Sequence, residues 1–289
     1  MTDALERAIA DGGIVDCYVN AHSADLGTDM PSLTNFFKEN AGGHRTADEL
    51  IEDMDASRIA WALLTPPPEN QHAVADQEIP YRWAVDAVER HPDRFRLAVR
   101  VNPYDGMKAV RQLESMVRND GAAALRLAPY RVGRPCTDKI FYPLYTKCCE
   151  LGIPVTILTG IMTNWSGSRN QHPILFDELC EQWPELVVVS AHGAQPWGRE
   201  LVQLMRNFKN LYHTISGFVP ERYPPELIEF ANSRRGRHKI LFSTDWPAVD
   251  FARAVNSLHK VPIDDDVWPY FLRDNSNRVF GAPGQGPPG

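Results

Sequence analysis

Short apolar segments alternate along the chain with longer segments in which apolar residues recur every three or four positions. The short segments have the length and composition of strands, and they lie at 14–20, 58–65, 95–101, 122–127, 153–158, 186–191, 211–216 and 239–244. Helical periodicity lies between them at 46–56, 71–91, 106–119, 138–151, 173–183, 197–208 and 224–234, and again near 249–259. Several strands are continuous apolar runs, which is typical of parallel strands that are covered on both faces.

Eight strand–helix units in a chain of 289 residues favour a (β/α)8 barrel of the α/β class. A doubly wound open sheet produces the same alternation and is the alternative. No repeat, linker or change of composition divides the chain, so we expect a single domain over residues 1–280. The last segment, 281–289, is rich in glycine and proline, and we expect a flexible tail there.

Composition narrows the classes of partner. The formal net charge is −7 and no basic block is present, which argues against nucleic acid or an anionic membrane surface as a partner. No apolar stretch approaches the roughly 20 residues of a membrane span, and the N-terminal segment is a charged helical pattern rather than a secretory signal. The five cysteines lack a C-x-x-C spacing. We expect a cytoplasmic protein with reduced thiols that acts on a small molecule, with a homo-oligomer left open.

The first strand reads IVDCYVN and is followed two residues later by His22. Because side chains alternate along a strand, Asp16, Tyr18, Asn20 and His22 are predicted to share one face. Polar groups that point inward from a buried strand need partners, and water, protein groups or a metal ion can supply them. The sequence alone leaves these three possibilities open.

Polar side chains also stand at the ends of other predicted strands. Arg126 lies in strand 4, His192 follows strand 6, and Asp245 follows strand 8. In a (β/α)8 barrel the chemistry is built at the C-terminal ends of the strands, so these side chains are candidates for one site.

Segments spread over most of the chain, in their order and spacing, resemble the amidohydrolase-related family of metal-dependent TIM-barrel hydrolases and decarboxylases. They are ADELIEDMDASRIAWALL (47–64), HPDRFRLAVRVNP (91–103), VVVSAHGAQPW (187–197), NLYHTISGF (210–218), RYPPELI (222–228), ILFSTDWP (240–247) and RDNSNRVFG (273–281). The resemblance implies a barrel enzyme whose metal is held by His-x-His on strand 1, a histidine on each of strands 5 and 6, and an aspartate on strand 8.

The chain departs from that pattern at two strands. His192 and Asp245 match the positions on strands 6 and 8, but Tyr18 and Asn20 stand where the two histidines of strand 1 would be. Strand 5 offers Leu158 and Ile161 at the places where family members carry a histidine, so the complete family site is absent. Two readings of these replacements involve catalysis, with and without a metal ion.

The first reading is a non-standard metal site. The predicted metal ligands are Tyr18, Asn20, His22, His192 and Asp245, a mixed oxygen and nitrogen set that suits iron, manganese or zinc. A tyrosinate ligand favours iron over zinc or manganese, as one ion or two. Asp245 and His192 are the predicted catalytic residues, with Asp245 taking a proton from metal-bound water. Arg126 is the predicted substrate-binding residue, since an arginine binds carboxylates and phosphates well.

The second reading is a metal-free lactonase, decarboxylase or hydratase. Tyr18 and Asn20 would then donate hydrogen bonds to a substrate carbonyl, and His192 and Asp245 would act as base and orienter. A non-catalytic binding or scaffold barrel is the alternative of another class. The Tyr-x-Asn pair on strand 1 also resembles iron-dependent thioesterases of diterpenoid antibiotic pathways such as those of platensimycin and platencin. That resemblance implies an acyl-CoA thioester as substrate and a role in secondary metabolism.

Overall fold

The computed structural model describes residues 3–20, 46–65, 78–161 and 168–283. Eight parallel strands form one sheet whose spatial order is the order of the sequence. They are β1 (Ile14–Asn20), β2 (Ile59–Thr65), β3 (Phe95–Val99), β4 (Ala122–Leu127), β5 (Val155–Leu158), β6 (Val188–Ala191), β7 (Leu211–Ile215) and β8 (Ile240–Phe242). A parallel bridge between Val19 and Trp246 joins the first strand to the segment after the last. The predicted (β/α)8 barrel is confirmed, and the open sheet is excluded.

Helices follow the strands along the chain. They are α1 (Asp3–Ala10), α2 (Ala47–Ala56), α3 (Glu78–Arg90), α4 (Met107–Asp120), α5 (Pro129–Val132), α6 (Tyr142–Leu151), α7 (Leu175–Gln182), α8 (Gly198–Asn207), α9 (Pro225–Ala231), α10 (Phe251–Ser257) and α11 (Asn275–Phe280). Residues 71–77 of the helix predicted at 71–91 lie outside the described residues, as do residues 284–289 of the predicted tail. Within the described part of the chain, no helix is long and apolar enough to cross a membrane.

Local sequence signals set several of these boundaries. Thr46 caps α2 in a capping box, in which its hydroxyl accepts the backbone N–H of Glu49 at 3.2 Å and the Glu49 carboxylate accepts the N–H of Thr46 at 2.7 Å. Gly121 ends α4 with a left-handed φ of 68°, a conformation that glycine adopts without steric cost. Strand β5 begins at Val155, later than the predicted residue 153, because Pro154 has no N–H to donate to a neighbouring strand.

Two apolar clusters divide the core. The larger one fills the space between the strands and the surrounding helices. The smaller one consists almost entirely of strand residues from around the barrel, including Val15, Leu63, Val189 and Leu241, and it fills the barrel interior. Side chains at the C-terminal ends of the strands are buried but polar, so this end of the barrel is where a site is expected.

The polar face predicted for β1 is interrupted. Asp16 pairs with Ala62 and Val19 pairs with Leu64, so β1 has one more residue than β2 over this stretch. Such a β-bulge breaks the strict alternation of side chains. Cys17 packs in the interior cluster, and Asp16 accepts hydrogen bonds from the β8 end of the chain. The prediction that the polar side chains of β1 share one regular face is corrected accordingly. The register of β1 depends on its pairing with β2, and the sequence of β1 alone does not determine that pairing.

Candidate active site

Three polar side chains from different strands form a continuous chain of contacts at the C-terminal end of the barrel. The amide nitrogen of Asn20 donates to Oδ1 of Asp245 at 2.9 Å. The amide oxygen of Asn20 accepts a hydrogen bond from Nη1 of Arg126 at 3.2 Å. A cation and a carboxylate therefore face each other across a single amide, which holds both in place.

Tyr18 lies against this group. The Arg126 guanidinium carbon is 4.0 Å from the centre of the Tyr18 ring, a cation–π contact. The His192 ring meets the Tyr18 ring edge-on, with 5.1 Å between the centroids. The Tyr18 hydroxyl is buried, and none of the described residues forms a hydrogen bond with it. A buried polar atom without a partner indicates that something else satisfies it.

His192 is positioned by Ser216, which follows β7. The Ser216 hydroxyl oxygen accepts the backbone N–H of His192 at 3.0 Å and lies 2.9 Å from Nδ1 of the His192 ring. With its oxygen already accepting a hydrogen bond, Ser216 is placed to donate its proton to Nδ1, which favours the tautomer protonated on Nε2. Nδ1 of His192 is 4.0 Å from Oδ2 of Asp245.

The protein environment shifts the pKa values of these groups. Burial raises the pKa of Asp245 to about 6, although the positive charge of Arg126 and the hydrogen bond from Asn20 oppose that rise. Burial, reinforced by Arg126, lowers the pKa of His192 to about 3, so the imidazole is neutral at pH 7. Burial lowers the pKa of Arg126 to about 9, which leaves it cationic at pH 7. The site therefore combines a carboxylate, a guanidinium and a neutral imidazole.

His192 and Asp245 also share an unusual backbone conformation. Their φ angles are 74° and 60°, in the left-handed region that residues other than glycine seldom adopt. Such conformations cluster at functional sites, where the surrounding structure maintains them. Gly217 lies beside both, since a Cβ atom there would be 3.4 Å from Asp245 Oδ2 and 3.7 Å from His192 Nδ1.

The described residues do not fit the predicted set of metal ligands. The Asn20 amide nitrogen faces Oδ1 of Asp245 and the backbone oxygens of Asp245 and Trp246, and turning the amide over would place oxygen against oxygen. Arg126 puts a positive charge beside the carboxylate that an ion would need. Among the described residues, no group of three His, Cys, Asp or Glu side chains is placed to hold a metal ion. The buried Tyr18 hydroxyl has no hydrogen-bond partner among the described residues, which is compatible with a metal ligand. The predicted metal ligands therefore stay predictions.

Other candidates have different environments. His22 lies outside the described residues, so its role stays a prediction. His213 is buried and lies 3.0 Å from the Ser190 hydroxyl. Nothing in the sequence marks Ser216 or Gly217 as functional, and only their contact with His192 and Asp245 distinguishes them from other strand-end residues.

Comparisons with known proteins agree with the fold. A family model described as amidohydrolase matches residues 38–282, whereas no curated protein sequence matches significantly. An uncharacterised TIM-barrel protein from Bordetella bronchiseptica is 21% identical, with a TM-score of 0.73, and the match covers 94% of this chain and 99% of that one.

Two solved enzymes have similar folds. A dihydroxybenzoic acid decarboxylase from Polaromonas sp. JS666, with bound manganese and the inhibitor 2-nitroresorcinol, is 16% identical with a TM-score of 0.72, covering 93% of this chain and 97% of that one. A 4-oxalomesaconate hydratase from Rhodopseudomonas palustris is 18% identical with a TM-score of 0.65, covering 92% and 95%. The TM-scores establish a shared fold, and at identities this low they establish nothing further. The family model, which spans most of the sequence, establishes that this chain belongs to the amidohydrolase family.

Proposed function

We propose that the protein is a hydrolase that adds water to an ester-like carbonyl, a lactone or a thioester, without a metal ion. The observation that carries the proposal is the buried Arg126 cation, held beside the Asp245 carboxylate through Asn20. This guanidinium supplies positive charge within the site, where family members of the usual pattern use a metal.

Asp245 is the general base. With a pKa of about 6 it is ionised at pH 7, yet it is more basic than an exposed aspartate. It takes one proton from water as the water oxygen bonds to the carbonyl carbon. The hydrogen bond from Asn20 fixes the carboxylate in the orientation that this proton transfer requires.

Arg126 and Tyr18 stabilise the oxyanion that forms on the carbonyl oxygen. The Tyr18 hydroxyl and Nε of Arg126 are buried, and neither has a hydrogen-bond partner among the described residues. Donors that are already oriented and shielded from water stabilise a developing negative charge strongly. The tetrahedral species then breaks its bond to the leaving oxygen or sulfur, which receives the proton from Asp245. Nε2–H of His192, oriented by Ser216, is a further donor to the leaving group.

The test combines metal removal with substitution of Asp245. Protein treated with chelator and dialysed is assayed on lactones, esters and thioesters, while elemental analysis records its metal content. We expect hydrolysis without stoichiometric metal, and a fall in kcat of at least about 100-fold in Asp245→Asn. Asp265→Asn, an exposed aspartate, is the matched control. Loss of activity on chelation, restored by added manganese or iron, would overturn the proposal.

Metal-dependent hydrolysis is the second candidate. The unpartnered, buried Tyr18 hydroxyl favours it, because a phenol oxygen is a suitable ligand for iron. It is supported by the manganese in the decarboxylase of similar fold, and an acyl-CoA thioester is the substrate to try first. This candidate requires that the purified protein contain iron or manganese and that the Tyr18→Phe variant lose that metal. A variant with full metal content and full rate would show that Tyr18 is not a ligand. The decarboxylase and hydratase alternatives are examined by adding hydroxybenzoates and unsaturated acids to the same panel.

A further inference from the structure

The carboxyl group of Asp16 joins the two parts of the chain that carry Tyr18 and Asp245. Asp16 lies in β1, and its side chain is fully buried. Its Oδ1 atom accepts the backbone N–H of Tyr18 at 3.1 Å, and both of its oxygens lie 3.2 Å from the backbone nitrogen of Thr244, which donates to them. One buried side chain therefore fixes the backbone on the β1 side and on the β8 side of the proposed catalytic group.

Thr244 extends this contact to the residue after Asp245. The Thr244 hydroxyl lies 2.5 Å from Oδ2 of Asp16, and its oxygen accepts the backbone N–H of Trp246 at 2.9 Å. A hydroxyl has one proton and two lone pairs, so it can contact both neighbours at once, whether the Asp16 carboxyl is neutral or ionised. Asp245 thus lies between two residues whose N–H groups are tied to Asp16, one directly and one through the Thr244 hydroxyl.

Asp245 needs such support because of its backbone conformation. Its φ of 60° lies in the left-handed region, which an aspartate occupies at a cost unless surrounding contacts maintain it. The Thr244 carbonyl accepts the N–H of Gly217 at 3.3 Å, and the Asp245 carbonyl accepts the N–H of Ala248 at 2.8 Å. The peptide groups on both sides of Asp245 are therefore held, and the direction of its side chain is fixed with them.

The same carboxyl group holds Tyr18 at the bulge of β1. The pairing with β2 is displaced by one residue between Asp16 and Val19, and a bulge interrupts the hydrogen bonds between strands. The Tyr18 N–H donates to Asp16 at this point. Asp16 therefore also fixes the residue whose hydroxyl is a proposed oxyanion donor.

We propose that Asp16 and Thr244 are positioning residues, which hold the general base Asp245 and the oxyanion donor Tyr18 in place relative to each other. The roles of Asp245 and Tyr18 rest on the proposed function, whereas the anchoring by Asp16 and Thr244 can be tested without it. Both positioning residues are fully buried and contact other protein groups. Their loss should lower kcat and leave KM nearly unchanged, because it displaces the reacting groups rather than the groups that bind the substrate.

Thr244→Val and Thr244→Ser form the matched pair that tests this role. Valine has the shape of threonine but no hydroxyl to accept the Trp246 N–H, whereas serine keeps the hydroxyl. We expect kcat to fall about 10- to 100-fold in Thr244→Val and to stay within about threefold of the wild-type value in Thr244→Ser. Thr214→Val is the control for loss of a buried threonine hydroxyl, since the Thr214 hydroxyl lies 2.6 Å from that of Ser243, and its kcat should match the wild type. Thr244→Ala removes the same hydroxyl as Thr244→Val and replaces that variant if it does not fold.

A second pair tests Asp16 itself. Asparagine keeps an oxygen that can accept the N–H groups of Tyr18 and Thr244, and its own N–H can donate to the Thr244 hydroxyl. Asp16→Asn should therefore keep kcat near the wild-type value, whereas Asp16→Ala should lower it at least about tenfold.

Crystal structures of Thr244→Val and Thr244→Ser separate a failure of this inference from a failure of the proposed reaction, because they require no turnover. Asp245 should leave its left-handed φ in Thr244→Val and keep it in Thr244→Ser. An unchanged Asp245 backbone and an unchanged contact with Asn20 in Thr244→Val would overturn the anchoring, whatever reaction the protein catalyses. A kcat in Thr244→Val equal to that of the wild type, or an equal fall in Thr214→Val, would overturn the positioning role.

Discussion

Replacing Arg126 by glutamine should shift the ionisation of Asp245 to higher pH. Burial raises the pKa of the Asp245 carboxyl to about 6, and Arg126 is the largest of the influences that oppose this rise. Glutamine is polar but carries no charge, and its side chain ends at the position of the arginine Nε, short of the Nη1 atom that contacts Asn20. The substitution therefore removes the electrostatic stabilisation of the carboxylate while keeping a polar, though shorter, side chain.

The size of the shift follows from the geometry. Arg126 Nη1 is 3.2 Å from Asn20 Oδ1, and Asn20 Nδ2 is 2.9 Å from Asp245 Oδ1. One amide separates the two charges, which places them on the order of 7 Å apart, where the attraction is about 2 kcal/mol at an effective dielectric constant of about 20. That energy corresponds to about 1.5 pH units. The pKa of Asp245 should therefore move from about 6 to between about 7 and 8.

Carbon-13 NMR of protein labelled at the aspartate carboxyl measures this shift without a substrate, with Asp245→Asn used to assign the signal. In a hydrolysis assay, the acidic limb of kcat/KM should move by the same amount, because only the ionised carboxylate accepts a proton from water. Arg126→Lys keeps the charge and should hold the midpoint near its wild-type value. An Asp245 midpoint that is the same in Arg126→Gln and in wild type would refute the electrostatic reasoning.

Two further predictions concern stability. Buried Asp16 has a pKa raised to about 8, above its ordinary value of 3.8, so it stabilises the fold below about pH 4 and that stability is lost as the pH rises through 8. The free energy of unfolding by urea should therefore fall as the pH rises, by up to about 1.4 kcal/mol per pH unit. Asp16→Asn should flatten this dependence on pH, and parallel slopes for the two proteins would contradict the prediction. At Gly236 a Cβ atom would come 1.8 Å from the Phe230 carbonyl oxygen, so Gly236→Ala should lose about 3 kcal/mol or more in the same assay. At Gly121 an added Cβ atom would have no neighbour within 4 Å, and only the φ of 68° is unfavourable, so Gly121→Ala should lower the free energy of unfolding by only about 1–2 kcal/mol. Equal losses of stability at the two positions would refute the predicted clash at Gly236.

The barrel could be predicted because the hydrophobic periodicity of strands and helices can be recognised in a single sequence. Each strand is a short apolar run that ends where polar residues begin, and that signal does not depend on the neighbouring strands. The one-residue bulge between Asp16 and Val19 could not be predicted in the same way, because it is a relation between β1 and β2. The late start of β5 has a different cause, since Pro154, which has no N–H to donate, is visible in the sequence itself.

The members of the candidate site could also be predicted in part. Tyr18, Asn20, Arg126, His192 and Asp245 all stand at the C-terminal ends of strands, and a parallel barrel brings those ends together. Their order of contact was not predictable, because it depends on which side chain reaches across the barrel. The prediction that Arg126 binds substrate stays a prediction, and the structure adds a contact with Asn20 that decides which way that amide faces.

The charges of the buried group favour the metal-free interpretation. At pH 7 the Asp245 carboxylate and the Arg126 guanidinium cancel each other, while His192 and Asp16 are both neutral. A divalent ion would add two positive charges to these four described side chains, which together carry no net charge, and buried charge without a partner is costly. Compensation would require Tyr18 and Asp16 to lose their protons, or Arg126 to leave Asn20 so that the amide could turn its oxygen towards the ion. Among the described residues, the arrangement around Asn20 is therefore consistent with Arg126 as the cation of the site, as the metal-free proposal requires.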